Sequence, residues 1–388
     1  METVDDRWGA AARDEWTLDP VFVSVNHGSY GATPRVVLAA QAAWRDRIEA
    51  QPARFMRAEL PGALRAAAAR LADFLGTAGE DVVFIANATE GCNAVLRAFD
   101  LAPGDEILVL DHGYGAVRNT VRHVAAGAGA RVIEAAVPFP RPEPAALVAA
   151  VTAALTPRTR LAVLDHITSP SAIVLPLAEI IAACRATGVA VLVDGAHAPG
   201  QVALDLPALG ADWYVGNCHK WLCAPKGTGF LWAAPARQAG LHPAVISHGY
   251  DQGFVAEFDW TGTRDPSAFL AVPAALDFCA RLGGPALVAR NRALAAAAGA
   301  WLAERLGTEV GTAGVAAGSM ASMRLPLAGQ LTQARAAALA DALLAAGTDA
   351  PPHRIGEAAW LRVSAHAYNT MDDYARLADI LARVLPAA

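Results

Sequence analysis

The chain has 388 residues and a mass of 40.2 kDa, long enough for one large hydrophobic core and a smaller second domain. Its 31 basic and 37 acidic side chains give a formal charge of −6, which argues against a general affinity for nucleic acid or anionic membranes. No uncharged apolar run reaches about 18 residues, so we expect no membrane-spanning helix.

The N-terminal residues and the cysteines indicate the cellular setting. Residues 1–16 are polar and acidic, without the apolar core of a secretory signal peptide. The five cysteines (92, 184, 218, 223 and 279) are odd in number and scattered, which is typical of buried thiols in a reduced protein. Cys218 and Cys223 are close in sequence, but no second Cys/His pair accompanies them, so we expect no metal site. The sequence therefore predicts a cytoplasmic protein.

Helical and extended patterns alternate from residue 63 to residue 216. Helices are predicted at residues 63–76, 89–99, 115–129, 143–155 and 176–188, and strands at residues 81–87, 106–112, 130–137, 160–167, 189–194 and 211–216. Strands that alternate with helices favour βαβ units and a mainly parallel sheet. Several of the strands are almost continuous apolar runs, as expected where helices cover both faces of a sheet. The predicted fold class is α/β.

The pattern changes after residue 266. Long Ala-rich helices are predicted at residues 268–282, 287–305 and 332–346, with short strands near residues 309–312, 320–326 and 359–364. This combination is typical of a smaller α+β domain. We therefore expect a large α/β domain at residues 20–265 and a small α+β domain made of residues 1–19 and 266–388.

Two residues at strand ends, Asp194 and Lys220, indicate the chemistry. Residues 189–201 read VAVLVDGAHAPGQ, so an apolar strand ends in Asp194, and residues 212–231 read DWYVGNCHKWLCAPKGTGFL, so a second strand precedes Lys220. Pyridoxal 5′-phosphate (PLP) needs such a pair, an amine for a Schiff base and an acid for the pyridine nitrogen. The pair predicts a PLP site in the large domain. A helix cap after the strand is the alternative interpretation of Asp194.

A phosphate site is predicted between the strand at residues 81–87 and the helix at residues 89–99. Residues 87–91 read NATEG and lie between the strand DVVFIA and the next helix. The N–H groups and the positive dipole end of a helix start suit a phosphate, and Thr89 adds a hydroxyl donor. A simple helix cap by Thr89 is the alternative.

Motifs along nearly the whole chain carry a family resemblance. They are VNHGSYGATP (25–34), QPARFM (51–56), NATEGCNAVLRAF (87–99), DHGYGAVRN (111–119), DHITSPSAIVLP (165–176), VDGAHAPGQ (193–201), GNCHKWLCAPKGTGFL (216–231), WTGTRDPSAF (260–269) and LRVSAHAYNTMDDY (361–374). In this order they resemble a fold-type I PLP enzyme of the class V aminotransferase group, in the branch similar to isopenicillin N epimerases. The resemblance implies a mainly parallel, seven-stranded-type sheet flanked by helices.

The resemblance also implies roles around the cofactor. Lys220 would form the Schiff base and then move protons at Cα, while Asp194 would pair with the pyridine nitrogen. Tyr114 would stack on the ring, although a core tyrosine is the alternative, and His197 would lie near the ring and its phenolic oxygen. The matched phosphate contacts are Ala88, Thr89, Asn217 and His219, with Thr263 reaching across from a neighbouring subunit. The protein is therefore expected to be a homodimer with shared active sites.

Three residues are predicted on the substrate side. Arg362 matches an arginine that grips the substrate α-carboxylate, for which a planar two-pronged donor is suited; a surface arginine at a strand end is the alternative. Asn26 is predicted as a second carboxylate or cofactor contact, although the glycines around it also suit a simple tight turn. Arg54 is a further candidate, and His27 is another residue of the same loop as Asn26.

Two departures from the wider group narrow the chemistry. Cysteine desulfurases of this class attack sulfur with a cysteine in the C-terminal part, but no cysteine follows Cys279 here. Where those relatives carry an asparagine beside the phenolic oxygen of the cofactor, this chain has Ser169, which is therefore expected to alter the hydrogen bonding there.

The resemblance implies a PLP-dependent enzyme that acts at Cα of an amino-acid substrate. Reprotonation on the opposite face gives an epimerase or racemase, loss of a β-substituent gives a lyase such as a carbon–sulfur lyase, and protonation at the cofactor gives a transaminase. Epimerisation ranks first by resemblance, with the β-lyase close behind and the transaminase third. A PLP-binding protein that has lost catalysis is the alternative of another class.

Overall fold

The computed structural model describes residues 7–385, so residues 1–6 and 386–388 of the predicted small domain lie outside it. A seven-stranded sheet has the order β1-β7-β6-β5-β4-β2-β3. Its strands are β1 (Val82–Ile85), β2 (Glu106–Leu110), β3 (Arg131–Ala135), β4 (Thr159–Asp165), β5 (Ala190–Asp194), β6 (Trp213–Asn217) and β7 (Gly229–Ala233). Only β7 runs antiparallel to its neighbours, β1 and β6. The predicted α/β class and mainly parallel seven-stranded sheet are confirmed.

A second sheet has three antiparallel strands in the order β8-β10-β9. These strands are β8 (Met320–Arg324), β9 (Pro352–Ile355) and β10 (Ala358–Ser364). The predicted strand at residues 309–312 is wrong, because only Val310 pairs there, through an isolated bridge to Met323. The sequence analysis missed β9, a short strand with Pro352 and Arg354 that lacks an apolar run. It also missed β7.

The helices connect the strands and cover both faces of the large sheet. One predicted helix, at residues 268–282, is two helices that meet at Ala271, because Pro273 has no backbone N–H and favours a helix start. In chain order the α-helices are α1 (His27–Tyr30), α2 (Arg35–Ala50), α3 (Pro52–Arg54), α4 (Leu60–Leu75), α5 (Ala88–Ala98), α6 (Gly115–Ala128), α7 (Pro144–Ala154), α8 (Leu177–Ala186), α9 (Leu206–Leu209), α10 (Phe254–Asp259), α11 (Ser267–Leu270), α12 (Val272–Arg281), α13 (Pro285–Arg305), α14 (Gln333–Ala345) and α15 (Met371–Val384).

Alternate residues of each central strand enter two different cores. In β5, Val191 and Val193 pack into one core, and Ala190 and Leu192 pack into the other. This alternation follows from the two-residue period of a strand, and it requires apolar residues at every position of a strand covered on both faces. A third core lies around the small sheet.

The segments near the predicted domain boundaries do not all pack against the domain to which they were assigned. Helices α11 and α12 contribute Phe269, Leu270 and Phe278 to a core of the large sheet. Val23 and Val25, from the N-terminal part of the chain, pack instead into the core of the small sheet. The boundaries at residues 19–20 and 265–266 stay a prediction.

Within residues 7–385, every single helix is too short or too polar to cross a membrane. The two-helix segment of residues 267–281 and 285–305, bent by 72°, meets the same test of length and composition when its parts are taken together.

Candidate active site

A cavity of about 370 Å³ opens at the carboxyl ends of the central strands. Asp194 is the last residue of β5, Asn217 is the last residue of β6, and Lys220 follows in the next turn. Nine of the ten residues predicted to bind the cofactor line this cavity: Ala88, Thr89, Tyr114, Ser169, Asp194, His197, Asn217, His219 and Lys220. The topology brings them together because parallel strands end at one edge of a sheet, where ligands of such folds bind.

The amine of Lys220 is nearly buried and lies beside an imidazole. Its Nζ is 3.2 Å from Nε2 of His197. Burial, assisted by the positive charge of Arg362 and opposed by Asp194, lowers the pKa of Lys220 from 10.5 to about 7. A large share of the amine is therefore neutral near pH 7, as a nucleophile that attacks an aldehyde must be.

His197 is a neutral imidazole in this site. Burial and the charge of Lys220 lower the pKa of His197 well below its usual range. The indole N–H of Trp221 donates to Nδ1 of His197 at 3.5 Å, so the ring proton of the neutral form is on Nε2, the nitrogen that faces Lys220. The sequence analysis missed Trp221, although it follows the lysine directly.

The turn that carries Lys220 is held by the loop around His27. Nε2 of His27 donates to the backbone carbonyl of Lys220 at 3.0 Å, and the hydroxyl of Tyr368 donates to Nδ1 of His27 at 3.0 Å. Gly31 has φ of 69°, and a Cβ there would lie 1.9 Å from the carbonyl oxygen of His219. The glycines of the VNHGSYG motif thus permit close contact with the lysine turn, and His27 supports this turn.

The N-terminus of α5 forms one end of the cavity. The backbone N–H of Ala88 donates to Oδ1 of Asn217 at 2.8 Å, which leaves the amide N–H groups of Asn217 for a ligand. Asn87 is the helix cap, because its Oδ1 accepts the N–H of Glu90, so the interpretation of Thr89 as the cap is wrong. A Cβ at Gly91 would lie 2.6 Å from the side chains of two strands, so this helix start packs tightly against the sheet.

His219 lies at the same end of the cavity. Its Nδ1 donates to the carbonyl of Thr228 at 2.8 Å, which orients Nε2 for another partner. Burial lowers the pKa of His219 to about 4, so the imidazole is neutral until an anion binds beside it. Thr89, Asn217 and His219 together offer the hydroxyl, amide and imidazole groups that a phosphate requires.

Arg362 lies just behind the opposite side of the cavity. It is only 2% exposed, so the interpretation as a surface arginine is wrong. One terminal nitrogen donates to the carbonyl of Ser169 at 2.7 Å, and the other donates to Oδ1 of Asn26 and Oγ of Ser29, both at 3.0 Å. Nδ2 of Asn26 in turn donates to Asp349 at 2.7 Å. Burial lowers the pKa of Arg362 to about 10, so the guanidinium stays charged at neutral pH.

Two other predicted residues do not lie in the cavity of their own chain. Thr263 is exposed on the surface. Arg54 is exposed as well and pairs with Glu59 at 3.1 Å. Tyr114, by contrast, lines the cavity with 45% of its surface exposed, so the interpretation as a core tyrosine is wrong.

The sequence analysis missed three further residues of this region. Ser29 and Asp349 extend the hydrogen bonds around Arg362, and Asp165 lines the cavity as the last residue of β4. For Asp165 a signal was present, because the segment RLAVLDHI ends in an aspartate in the same way as the segment VAVLVD. No local pattern marks Asp349, which follows an Ala-rich helix.

The residues around this cavity fit PLP. A buried amine of lowered pKa, a buried carboxyl group and a phosphate-type donor set lie around one space, in the arrangement that this cofactor requires. When bound, PLP supplies an electron sink for bonds at Cα of an amino acid.

Known proteins with similar sequences and structures agree. The model of the family Aminotransferase class-V matches residues 31–377. Isopenicillin N epimerase of Amycolatopsis lactamdurans is 37% identical over 396 residues, covering 96% of this chain and 97% of that protein. Putative L-cysteine desulfhydrase 1 of Oryza sativa subsp. japonica is 39% identical over 322 residues, covering 78% of this chain and 67% of that protein.

A solved structure shows the same fold. The cystine C-S lyase C-DES, in complex with cysteine persulfide, superimposes with a TM-score of 0.79 at 24% identity, over 94% of this chain and 98% of that one. Fold, site and cofactor chemistry therefore define a PLP-dependent enzyme of fold type I. The chain belongs to the aminotransferase class-V family.

Proposed function

We propose that the protein is an amino-acid epimerase or racemase that inverts the configuration at Cα. The observation that carries this proposal is the Lys220 amine of near-neutral pKa, which lies 3.2 Å from His197 in a cavity backed by the Arg362 guanidinium. The similarity to isopenicillin N epimerase supports it, because the match extends over almost the full length of both proteins.

Each of these side chains has a defined task in the proposed reaction. Arg362 binds the α-carboxylate of the substrate by exchanging its hydrogen bonds to Ser169, Asn26 and Ser29 for bonds to the carboxylate oxygens. Lys220 removes the Cα proton as a general base, and its neutral form, which this step needs, is well populated near pH 7. Asp194 would pair with the pyridine nitrogen of PLP and keep this nitrogen protonated and positively charged.

Inversion also needs a proton donor on the face of Cα opposite Lys220. Tyr114 is our candidate, because it lines the cavity as the residue before α6 and its hydroxyl is a donor. His197 is the second candidate for a proton carrier, through its Nε2 beside the amine. Ser169 accepts hydrogen bonds from Arg362 through its backbone carbonyl at 2.7 Å and its Oγ at 3.3 Å, so its side chain is placed to affect the substrate end of the site.

A carbon–sulfur lyase is the second candidate function. Its specific support is the 39% identity to the putative L-cysteine desulfhydrase 1 of Oryza sativa subsp. japonica. Both functions begin with removal of the Cα proton. They diverge when a β-substituent leaves before that proton returns.

Hydrogen exchange with solvent separates the two functions. The holoenzyme is incubated in D₂O with isopenicillin N and a panel of L-amino acids that includes cysteine, and the products are followed by NMR and chiral chromatography. An epimerase incorporates deuterium at Cα with inversion, whereas a lyase releases pyruvate, ammonia and sulfide from cysteine. Sulfide release without inversion in any substrate would replace the epimerase with the lyase.

We further propose a cytoplasmic homodimer in which the neighbouring subunit completes the site. Thr263 and Arg54 support this, since both were predicted at the site but lie on the surface of their own chain. The five cysteines are free thiols, as a reducing compartment requires. Sedimentation equilibrium measures the assembly, and a monomer that binds PLP with full affinity would contradict the shared site.

A further inference from the structure

We propose that Asp165 is a positioning residue: a second carboxyl group that stays protonated beside Asp194, leaves the negative charge on Asp194, and fixes the backbone of Tyr114. This inference rests on the proposed placement of Asp194 at the pyridine nitrogen and of Tyr114 at the ring. It concerns a residue that the resemblance did not single out.

The geometry of the sheet carries the first step. Asp165 and Asp194 are the last residues of the adjacent parallel strands β4 and β5, and they are paired in register. Both are at most 5% exposed, and both line the cavity. Adjacent residues in register point to the same face of a sheet, so the two carboxyl groups share one buried space.

Two carboxyl groups that share one buried space cannot both ionise without a large cost in free energy, because burial and mutual repulsion disfavour the second charge. Burial and the charge of Asp194 raise the pKa of Asp165 well above its usual range. Burial raises the pKa of Asp194 as well, but the backbone N–H of Ala196, which donates to its Oδ1 at 3.0 Å, and the charge of Lys220 oppose this rise. Asp194 is therefore the better place for the charge. The pair therefore holds one proton, mainly on Asp165.

The other groups around the pair do not supply a second compensating charge. Arg118, on α6, lowers the pKa of Asp165, but its guanidinium is bound to Glu134 at 2.6 Å. The thiol of Cys92, on α5, faces the pair and stays neutral, since burial raises its pKa well above its usual range. The phenol of Tyr214, on β6, packs beside Val193 on the other face of the sheet, and burial raises its pKa as well.

Asp165 also connects the pair to the next element of the site. The backbone N–H of Tyr114 lies close enough to the carboxyl group of Asp165 to lower its pKa, and both residues line the cavity. Tyr114 is the residue before α6, and its side chain lines the cavity. A hydrogen-bond acceptor at position 165 therefore helps to position the backbone of Tyr114 and, with it, the Tyr114 ring. The amide oxygen of an asparagine can replace the carboxyl oxygen in this contact.

The first experiment measures thermal unfolding of the apoprotein from pH 5 to pH 8 for wild type, Asp165→Asn and Asp46→Asn. An aspartate whose pKa is raised by folding binds more protons in the folded state than in the unfolded state. The contribution of Asp165 to the free energy of unfolding of wild type therefore falls as the pH rises above about 4. The Asp165→Asn variant has no such proton. Its melting temperature minus that of wild type should therefore increase as the pH rises. Asp46, an exposed aspartate on α2, is the control, and its variant should melt in parallel with wild type across this pH range.

The second experiment measures PLP affinity from the visible spectrum. We expect Asp165→Asn to keep the dissociation constant within about threefold of wild type, and Asp165→Ala to raise it by about tenfold, because only Asn retains the acceptor for Tyr114. Asp194→Asn should raise it by at least about tenfold, because a charged partner is lost.

The outcomes separate this inference from the proposed placement of the cofactor. A melting-temperature difference between wild type and Asp165→Asn that does not grow with pH would overturn the protonated state of Asp165. Equal loss of PLP affinity in the Asn and Ala variants would overturn the positioning of Tyr114. If Asp194→Asn binds PLP as wild type does, the placement of Asp194 fails, while the stability comparison still decides how the pair is protonated.

Discussion

Two sides of the cavity are built in different ways. The strand-end side consists of Asp165, Asp194 and Asn217, the last residues of the neighbouring strands β4, β5 and β6, and of Lys220 in the turn after β6. The anchor side consists of Asn26, Ser169, Arg362 and Asp349, which come from separate loops and from the small sheet. Arg362 and Asn26 are 336 positions apart in the chain.

This difference separates the part of the site that determines the chemistry from the part that selects the substrate. Backbone hydrogen bonds of the sheet fix the strand-end side, so its residues keep their relative positions as the loops vary. The anchor side depends on side-chain hydrogen bonds between distant segments, and small changes there alter which carboxylate fits. We therefore expect substitutions on the strand-end side to abolish turnover, and substitutions on the anchor side to weaken substrate binding.

Replacement of Lys220 by alanine should have the largest effect. The variant loses the amine that we propose joins PLP and moves the Cα proton, so we expect the absorption band at about 420 nm to disappear and Cα exchange to slow by roughly 10²–10⁴-fold. Absorption spectra and deuterium incorporation measure the two effects. Lys226→Ala is the matched control, since Lys226 is exposed and outside the cavity. A Lys220→Ala variant that keeps both band and exchange would exclude Lys220 as the reactive amine.

The rate at which the apoprotein captures PLP should depend steeply on pH. The pKa of Lys220 is lowered to about 7, and only the neutral amine attacks the aldehyde, so the rate rises with pH and levels off above this value. Below it, each pH unit lowers the neutral fraction about tenfold. Stopped-flow absorbance measures the rate.

The same measurement tests whether the two sides of the cavity are electrostatically coupled. The positive charge of Arg362 lowers the pKa of Lys220, and the charge of Asp194 raises it. Arg362→Met should therefore move the midpoint to higher pH, and Asp194→Asn should move it to lower pH. A midpoint near pH 10 in wild type, unchanged in both variants, would mean that neither burial nor these charges act on the amine.

The strand-end side carries local signals in the sequence, although the sequence analysis overlooked the one at Asp165. An apolar run that ends in Asp194, and the HK pair after the next strand, remain visible without any knowledge of long-range contacts. The anchor side was predicted only in part: Arg362 and Asn26 came from the resemblance, while Ser29 and Asp349 went unnoticed. Their contacts depend on how the small sheet packs against the N-terminal loop, and no spacing in the sequence encodes that packing.

Replacement of Arg362 by lysine should raise KM with a smaller change in kcat. Lysine keeps the charge but loses the planar pair of donors, so binding of a carboxylate weakens by roughly 10- to 100-fold. Steady-state kinetics with the substrate found in the exchange panel measure the effect. Arg324→Lys, an exposed arginine on β8, is the control. Loss of kcat at unchanged KM would place Arg362 in the chemical step instead of in substrate binding.

Replacement of Asn26 by alanine should have the smallest effect. Asn26 accepts a hydrogen bond from Arg362 and donates one to Asp349, so its loss frees the guanidinium and raises KM by about two- to tenfold, the effect of one hydrogen bond. Asn119→Ala, which removes an exposed amide on α6, should leave KM unchanged.

A double variant then decides whether Asn26 acts directly or through the arginine. If Asn26 only orients Arg362, its replacement adds little in the Arg362→Lys background, because the group it orients is already gone. If Asn26 itself binds the substrate carboxylate, the two effects on KM multiply. Non-additive effects would show that the hydrogen bonds of the anchor side form one cooperative unit, whereas the strand-end side is positioned by the backbone pairing of the sheet.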